Sequence, residues 1–304
     1  MFLDYPEKSW SLSKQNVFDE CKRKYFFKTY AHWKGWEPDA SEFTRKAYLL
    51  NKLQNIYALL GQAVHDEVKK AILNKKIQKA LSIKDIREKL NEAWKDSINN
   101  RADWERWPKE FTMLQEIYYG NKSFLRQNSS KITKRAEVCI ENFSGSEVFK
   151  RIKNNEFQIL EVDEDFPSFK YNGVRVFSII DFLYKTDNNT IYIVDWKTGR
   201  PNEEKDKRQL KLYTIYVLEK YKNAELSNIK CVNEYLLTGD RAVHEFSEKE
   251  IANTKKYIEK SISEIDKYCE DPQLNKPKDI SFFKKNPGRR CNYCEFLELC
   301  KETE

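Results

Sequence analysis

IVDWKTG, residues 193–199, closes the run TIYIVDWKTG (190–199), whose β-branched and aromatic composition reads as a strand ending in a Thr-Gly turn. Strand side chains alternate between faces, so Asp195 and Lys197, two apart, point the same way. A carboxylate and a lysine on one face at a strand end can hold a divalent cation and a water beside it. Upstream, Asp181 interrupts the apolar run GVRVFSIIDFLYK (173–185). A carboxylate there is costly unless something pairs with it. Asp187-Asn188-Asn189 supplies a short turn between the two runs. Asp181 and Asp195 can therefore face each other across neighbouring strands and, with Lys197, make a site for Mg²⁺ or Mn²⁺.

Outward from this pair, FQILEVDEDF (157–166) reads as a preceding strand. KCVNEYLLTG (230–239) and RAVHEFS (241–247) read as a hairpin turning at Gly239-Asp240. The rest has helical spacing. Ser11 or Ser13 caps a helix in 9–30, and 41–75 reads as one long helix with Tyr57, Leu60, Val64, Val68 and Ile72 on its apolar face. Lys/Glu-rich amphipathic helices follow to 128, interrupted near Trp107-Pro108, and helices return at 203–222 and 248–269. Only eight Gly and eight Pro occur among 304 residues, which favours long regular elements. The order predicts an α/β fold, a sheet flanked by helices with a helical elaboration before it. Trp94, Trp104 and Trp107 in that elaboration are read as packing residues.

An Asp on one strand followed by Asp-x-Lys closing the next resembles the core of the PD-(D/E)xK nuclease superfamily, and DWKTG is similar to the form found in its RecB-like branch. That branch carries G-x-x-x-H on an upstream helix, matched here by Gly61 and His65, which share a helix face at i and i+4. Gly61 lets the helix approach the sheet closely, so that His65 can reach the metal. A helix after the DxK strand carries Q-x-x-x-Y, matched by Gln209 and Tyr213. An acidic residue often stands on the strand before the first catalytic Asp. Glu161, Asp163 and Glu164 compete for that role, and Glu161 is preferred. The resemblance implies a restriction-endonuclease-like mixed sheet and hydrolysis of phosphodiester bonds in DNA. It implies that His65, Asp181, Asp195 and the carbonyl of Trp196 hold Mg²⁺ or Mn²⁺. Lys197 would orient or activate the attacking water, with Glu161, Gln209 and Tyr213 completing the catalytic set. One nuclease domain, 1–304, is expected, with a helical insertion at 66–130 and a sheet core at 157–247.

Three of the seven cysteines, Cys291, Cys294 and Cys300, fall within the last fourteen residues. Such clustering asks for a metal, and the C-x₂-C spacing suits both zinc and an iron–sulfur cluster. A tetrahedral or cubane site needs a fourth thiolate, for which Cys21 in DECKRKYFF is the best candidate. The pattern resembles the iron–sulfur branch of the nuclease superfamily, which includes AddB-type subunits of bacterial helicase–nucleases and CRISPR-associated exonucleases. There one cysteine in a C-P-R-K-Y phrase near the N-terminus joins C-x₂-C-x₅-C at the other end. Here Cys21-Lys22-Arg23-Lys24-Tyr25 matches except that Lys22 replaces the proline. The resemblance implies a [4Fe–4S] cluster on Cys21, Cys291, Cys294 and Cys300, in a lobe built from 9–35 and 271–304. Cys139, Cys231 and Cys269 are read as small buried hydrophobes.

A net charge of +7 and a pI of about 8.8 are compatible with a polyanionic partner without demanding one. Basic and aromatic residues alternate in KRKYFFKTYAHWKGW (22–36), and basic residues flank FFKKNPGRR (282–290). Lys and Arg there could hold phosphates, with most of the aromatics, Tyr25, Phe26 and Phe27 among them, in the core. DNA is thus the expected partner, single-stranded or with free ends. The chain has no secretory signal and no stretch near the ~18 apolar residues that span a membrane, so a cytoplasmic location is expected. No G-x-x-x-x-G-K-[ST] motif occurs, so a fused helicase–nuclease is not expected, and a separate helicase or defence-system partner, in repair, recombination or defence, stays open. A non-catalytic DNA-binding subunit of a helicase–nuclease or defence complex stays open beside the nuclease reading, as does a zinc-stabilised interaction protein.

Overall fold

The computed structural model describes residues 3–73, 81–154 and 156–303. The N-terminal region contributes β1 (Ser9–Trp10), α1 (Leu12–Glu20), α2 (Lys22–Phe26) and α3 (Glu42–Asn51). Six further helices follow: α4 (Ile56–Leu73), α5 (Ile83–Asn99), α6 (Arg101–Arg106), α7 (Gln115–Tyr118), α8 (Lys122–Gly145) and α9 (Glu147–Asn154). The strands β2 (Gln158–Val162), β3 (Ser168–Tyr171), β4 (Val174–Phe177), β5 (Phe182–Lys185) and β6 (Ile191–Lys197) come next. They lead into α10 (Glu203–Lys220), the pair β7 (Ile229–Tyr235) and β8 (Asp240–His244), and α11 (Glu248–Asp266). The two short strands β9 (Cys269–Asp271) and β10 (Lys276–Pro277) and the helix α12 (Leu297–Glu302) close the order of strands and α-helices among the described residues.

The central sheet has the order β2-β5-β6-β7-β8. It is mixed: β6 and β7 are parallel, joined by the α10 crossover, and the other pairs are antiparallel. Alternation along the strands assigns the two faces. Phe182, Tyr184, Val194, Trp196 and Val232 enter a core with α4, α5, α8 and α9. Leu183, Ile191, Ile193 and Cys231 enter a second core with α10, α11 and the small sheet β1-β4-β3. Asp195 and Lys197 continue the Ile193 face and so point toward α10. The mixed α/β architecture expected from the sequence, a sheet flanked by helices, is present.

Three expectations change. The stretch 41–75 is not one helix: it breaks between Asn51 and Ile56. There Gln54 makes backbone hydrogen bonds to Met113 and Gln115, and the Asn55 side chain accepts from the amide of Tyr57 at 2.9 Å, capping α4. Residues 74–80, part of the expected insertion, lie outside the described residues. The run 173–185 is two strands in two sheets, β4 and β5, split at Ser178–Asp181, so Asp181 sits at a bend just before β5 and not within a strand. Trp104 is buried as expected and Trp94 packs against the first core, but Trp107 is exposed.

Both ends of the chain meet in one lobe. Arg23 is buried and donates to the carbonyls of Phe283 (2.8 Å) and Thr303 (2.8 Å). Lys24 and Lys28 pair with Glu295 at 3.1 and 3.0 Å. A third apolar cluster beneath these contacts contains Phe27, Ala31, Ala47, Leu50, Phe296 and Leu299.

Candidate active site and cysteine-lined cavity

Asp195 and Lys197 lie on one face at the end of β6, and their side chains form an ion pair at 2.6 Å. Asp195 is only 2% exposed. Its Oδ2 also accepts from the Asn233 side-chain amide, at 2.8 Å, from the neighbouring parallel strand, where Asn233 is the register partner of Asp195. Burial pushes the Asp195 carboxyl up to about 7; Asp181 adds to the rise, while Lys197 and His65 oppose it.

Asp181 comes to the same place from the bend before β5. Its Oδ2 accepts from the backbone amide of Trp196 at 2.7 Å, and its Oδ1 lies 3.2 Å from Nδ1 of His65 on α4. Burial disfavours charge on His65, but Asp181, reinforced by Asp195, outweighs it and raises the imidazole to about 9. Gly61 makes this approach feasible: a Cβ there would stand 3.1 Å from Oγ1 of Thr198, in the turn after Lys197. The Trp196 ring is buried edge-on to Phe143, with ring centroids 5.3 Å apart.

Lys197 is held from its other side. Nζ donates to Oε1 of Gln209 at 2.8 Å, and Gln209 in turn donates to the hydroxyl of Tyr213. Burial, with Asp195 and Asp181 close by, drives the Tyr213 hydroxyl far above its ordinary range, so it stays protonated. Asp206 stands 4.0 Å from Nζ of Lys197 and is itself fixed by the Tyr235 hydroxyl (3.1 Å) and the Asn202 amide (2.9 Å). The structure thus brings together six of the residues named from the sequence, His65, Asp181, Asp195, Lys197, Gln209 and Tyr213, with the Trp196 backbone among them.

Glu161 does not join them. It faces α10 farther along the helix, where its carboxylate accepts from the hydroxyls of Tyr216 (2.9 Å) and Tyr221 (2.6 Å) and pairs with Lys220 at 2.8 Å. The reason is register: Glu161 lies opposite Leu183, below the bend that carries Asp181, after an irregularity in the β2–β5 pairing. Asp163 is nearer, and its amide donates to the Asp181 carbonyl at 3.0 Å. Sequence reading also missed Asn233, Asp206 and Arg135, whose guanidinium donates twice to the carbonyl of Thr198, at 3.0 and 2.7 Å. Asn233 had a signal, a polar residue within an apolar strand run. Arg135 and Asp206 sit in charge-rich helical stretches and had none.

Cys21, Cys291, Cys294 and Cys300 line one cavity of about 480 Å³, together with Phe27, Phe296 and basic residues that include Lys24, Lys285 and Arg289. The four thiols surround a space instead of meeting at a point, and among the described residues no three His, Cys, Asp or Glu side chains are drawn together around a single ion. Cys139, Cys231 and Cys269 are buried elsewhere, the first two with thiols raised to about 11 and 12 by burial. Tyr25 and Phe27 are core residues, whereas Phe282 and Tyr293 are exposed. No described helix is long and apolar enough to cross a membrane.

No curated protein matches the chain. The paired aspartates, the lysine two residues after the second, and the mixed sheet that presents them agree with the family comparison: the model of the PD-(D/E)XK nuclease superfamily matches residues 9–301, nearly the whole chain, and the chain belongs to that superfamily.

Proposed function

We propose that the protein is a Mg²⁺- or Mn²⁺-dependent deoxyribonuclease that hydrolyses phosphodiester bonds, acting as an exonuclease on single-stranded or end-bearing DNA. The observation that carries this reading is the convergence of two carboxylates, Asp181 and Asp195, from separate strand ends onto one lysine and one imidazole. Both bring acceptor oxygens to one place, where a dication would supply countercharge. The donor chemistry suits such an ion: Asp181, Asp195, His65 and the Trp196 carbonyl would hold it once His65 gives up its proton and Asp195 parts from Lys197, since without the ion no three of these side chains are drawn together. Bound there, the metal would polarise the phosphate and acidify a water. Lys197, steadied by Gln209 and Asp206, would orient that water and neutralise charge developing on the phosphate oxygens as the P–O bond breaks. Glu161 has no place in this scheme.

Support for a [4Fe–4S] cluster comes from the cavity. Cysteines from both ends surround a space roomier than a single tetrahedral zinc needs. Its role is structural, joining the two ends of the chain. A separate helicase would supply unwound DNA, in repair, recombination or defence against mobile elements.

The test uses end-labelled single- and double-stranded DNA with Mg²⁺ or Mn²⁺. Asp195→Ala and Lys197→Ala should each reduce cleavage about a hundredfold or more, while the circular dichroism spectrum is unchanged. Cleavage near the wild-type rate by either variant would overturn the assignment.

A further inference from the structure

Beside the carboxylate cluster a groove of about 530 Å³ opens between the start of α1, the bend between β4 and β5 and the first half of α10. That volume is in the range that holds small ligands, about 300–1,000 Å³. Gln209 and Tyr213, which support Lys197, form part of its wall, so the groove begins where the cluster ends. Ser178 and Ile179, just before Asp181, line it too, and the buried Ser178 hydroxyl has no hydrogen-bond partner among the described residues.

Two features of the groove are unexplained by folding. The first is exposed apolar surface: Phe166 is 76% exposed and Ile179 is 45% exposed. Phe166 is held at φ 54°, a left-handed conformation that bulky residues rarely adopt, with its ring edge-on to Phe177. A local strain that holds a large aromatic ring out in solvent is the kind that persists at ligand sites. The second is charge. Lys14 and Lys205 line the groove and no acidic residue does. Among the described residues neither makes a close ion pair: Lys205 is exposed, and Lys14, half-buried, donates to the Ser9 hydroxyl at 2.5 Å and feels the Glu7 charge.

We propose that this groove seats the unpaired nucleotide next to the phosphodiester being cut, with its base against Phe166 and Ile179 and its phosphate beside Lys205 and Lys14. An apolar wall with an aromatic ring and a positive rim are the two parts of a single-strand site, because every unpaired base offers a face to stack and every linkage a charge. A paired base inside a duplex has both faces covered and cannot enter. The consequence is selectivity for single-stranded DNA, which rests on the nuclease reading above and specifies its substrate.

The test combines binding and cleavage. Phe166→Ala and Lys205→Ala change exposed residues outside the catalytic cluster. Affinity for a labelled oligothymidylate, read by fluorescence anisotropy, should fall about tenfold with Phe166→Ala, and the salt dependence of binding should weaken with Lys205→Ala. In cleavage, KM for single-stranded DNA should rise with kcat within about twofold. One abasic position flanking the cut should slow the wild type about tenfold and the Phe166→Ala variant no further, since both changes remove the same contact. Unchanged affinity in Phe166→Ala, or an abasic penalty that simply adds to that of the substitution, would overturn the groove assignment. A wild-type protein that binds single strands through Phe166 yet cleaves no DNA with Mg²⁺ or Mn²⁺ would instead sink the nuclease reading and leave the groove standing.

Discussion

Asn233 is a hydrogen-bond partner of the buried carboxylate proposed to hold the metal. Asp195 is nearly inaccessible to water, and its Oδ2 is shared between the Lys197 ammonium and the Asn233 amide. Removing that amide leaves a buried carboxylate with one partner fewer, which raises its proton affinity and loosens its orientation. Asn233→Ala should therefore weaken divalent-cation affinity and cleavage by ~10–100-fold, the usual effect of losing a group that orients a metal ligand. Metal titrations of cleavage by wild type and variant check this, and overlapping curves would show Asn233 to be a packing residue. At this scale the sequence was most legible where chemistry conflicts with surroundings. Asp181 and Asp195 stood out as carboxylates among apolar residues, and Asn233 carried the same mark unread. Arg135 carried no mark, because an arginine in a Lys/Glu-rich helix looks like every other solvated one.

Among the elements, the junction of α9, β7 and β8 is electrostatically unfinished. Glu234 is buried on β7, and Arg241 on β8 comes within 3.3 Å of it but gives its hydrogen bond to Glu147 on α9. Burial accordingly pushes the Glu234 carboxyl from 4.5 up to about 7. The folded state holds this proton to higher pH than the unfolded chain does, so the group is harmless below about pH 4.5. It costs stability as pH rises toward 7, up to ~3 kcal/mol above that. Glu234→Gln should remove this dependence, so the variant should gain melting temperature relative to wild type at pH 8 and little at pH 4.5. A difference that does not vary with pH would refute the shift. Element boundaries show why sheet order was only partly legible. Alternation disclosed β6, β7, β8 and the turn at Gly239, whose φ is 78°. The division of 173–185 between two sheets depends on distant pairing, β4 with β1 and β5 with β2 and β6. The break before α4 likewise depends on residues nearly sixty positions away, and only the Asn55 cap was locally visible.

At the scale of the whole molecule, the two ends fold as one lobe. The four cysteines around its cavity divide one to three between them. If they share one cluster, Cys21→Ser should release iron as effectively as Cys291→Ser, and each should lower thermal stability, whereas Cys139→Ser, Cys231→Ser and Cys269→Ser should retain iron. Iron content and visible absorbance after anaerobic purification decide it. Full iron in Cys21→Ser would remove it from the ligand set, and stoichiometric zinc without iron in the wild type would replace the cluster while leaving Asp181, Asp195 and Lys197 untouched. The same lobe sets an order of events during synthesis. Arg23 finds its acceptors 260 and 280 residues later in the chain. At typical translation speeds the nascent helix waits on the order of 15 to 60 s before those carbonyls exist. Through that interval its guanidinium must stay hydrated. The lobe is therefore a late product of vectorial synthesis, and a chain released early lacks the means to close it.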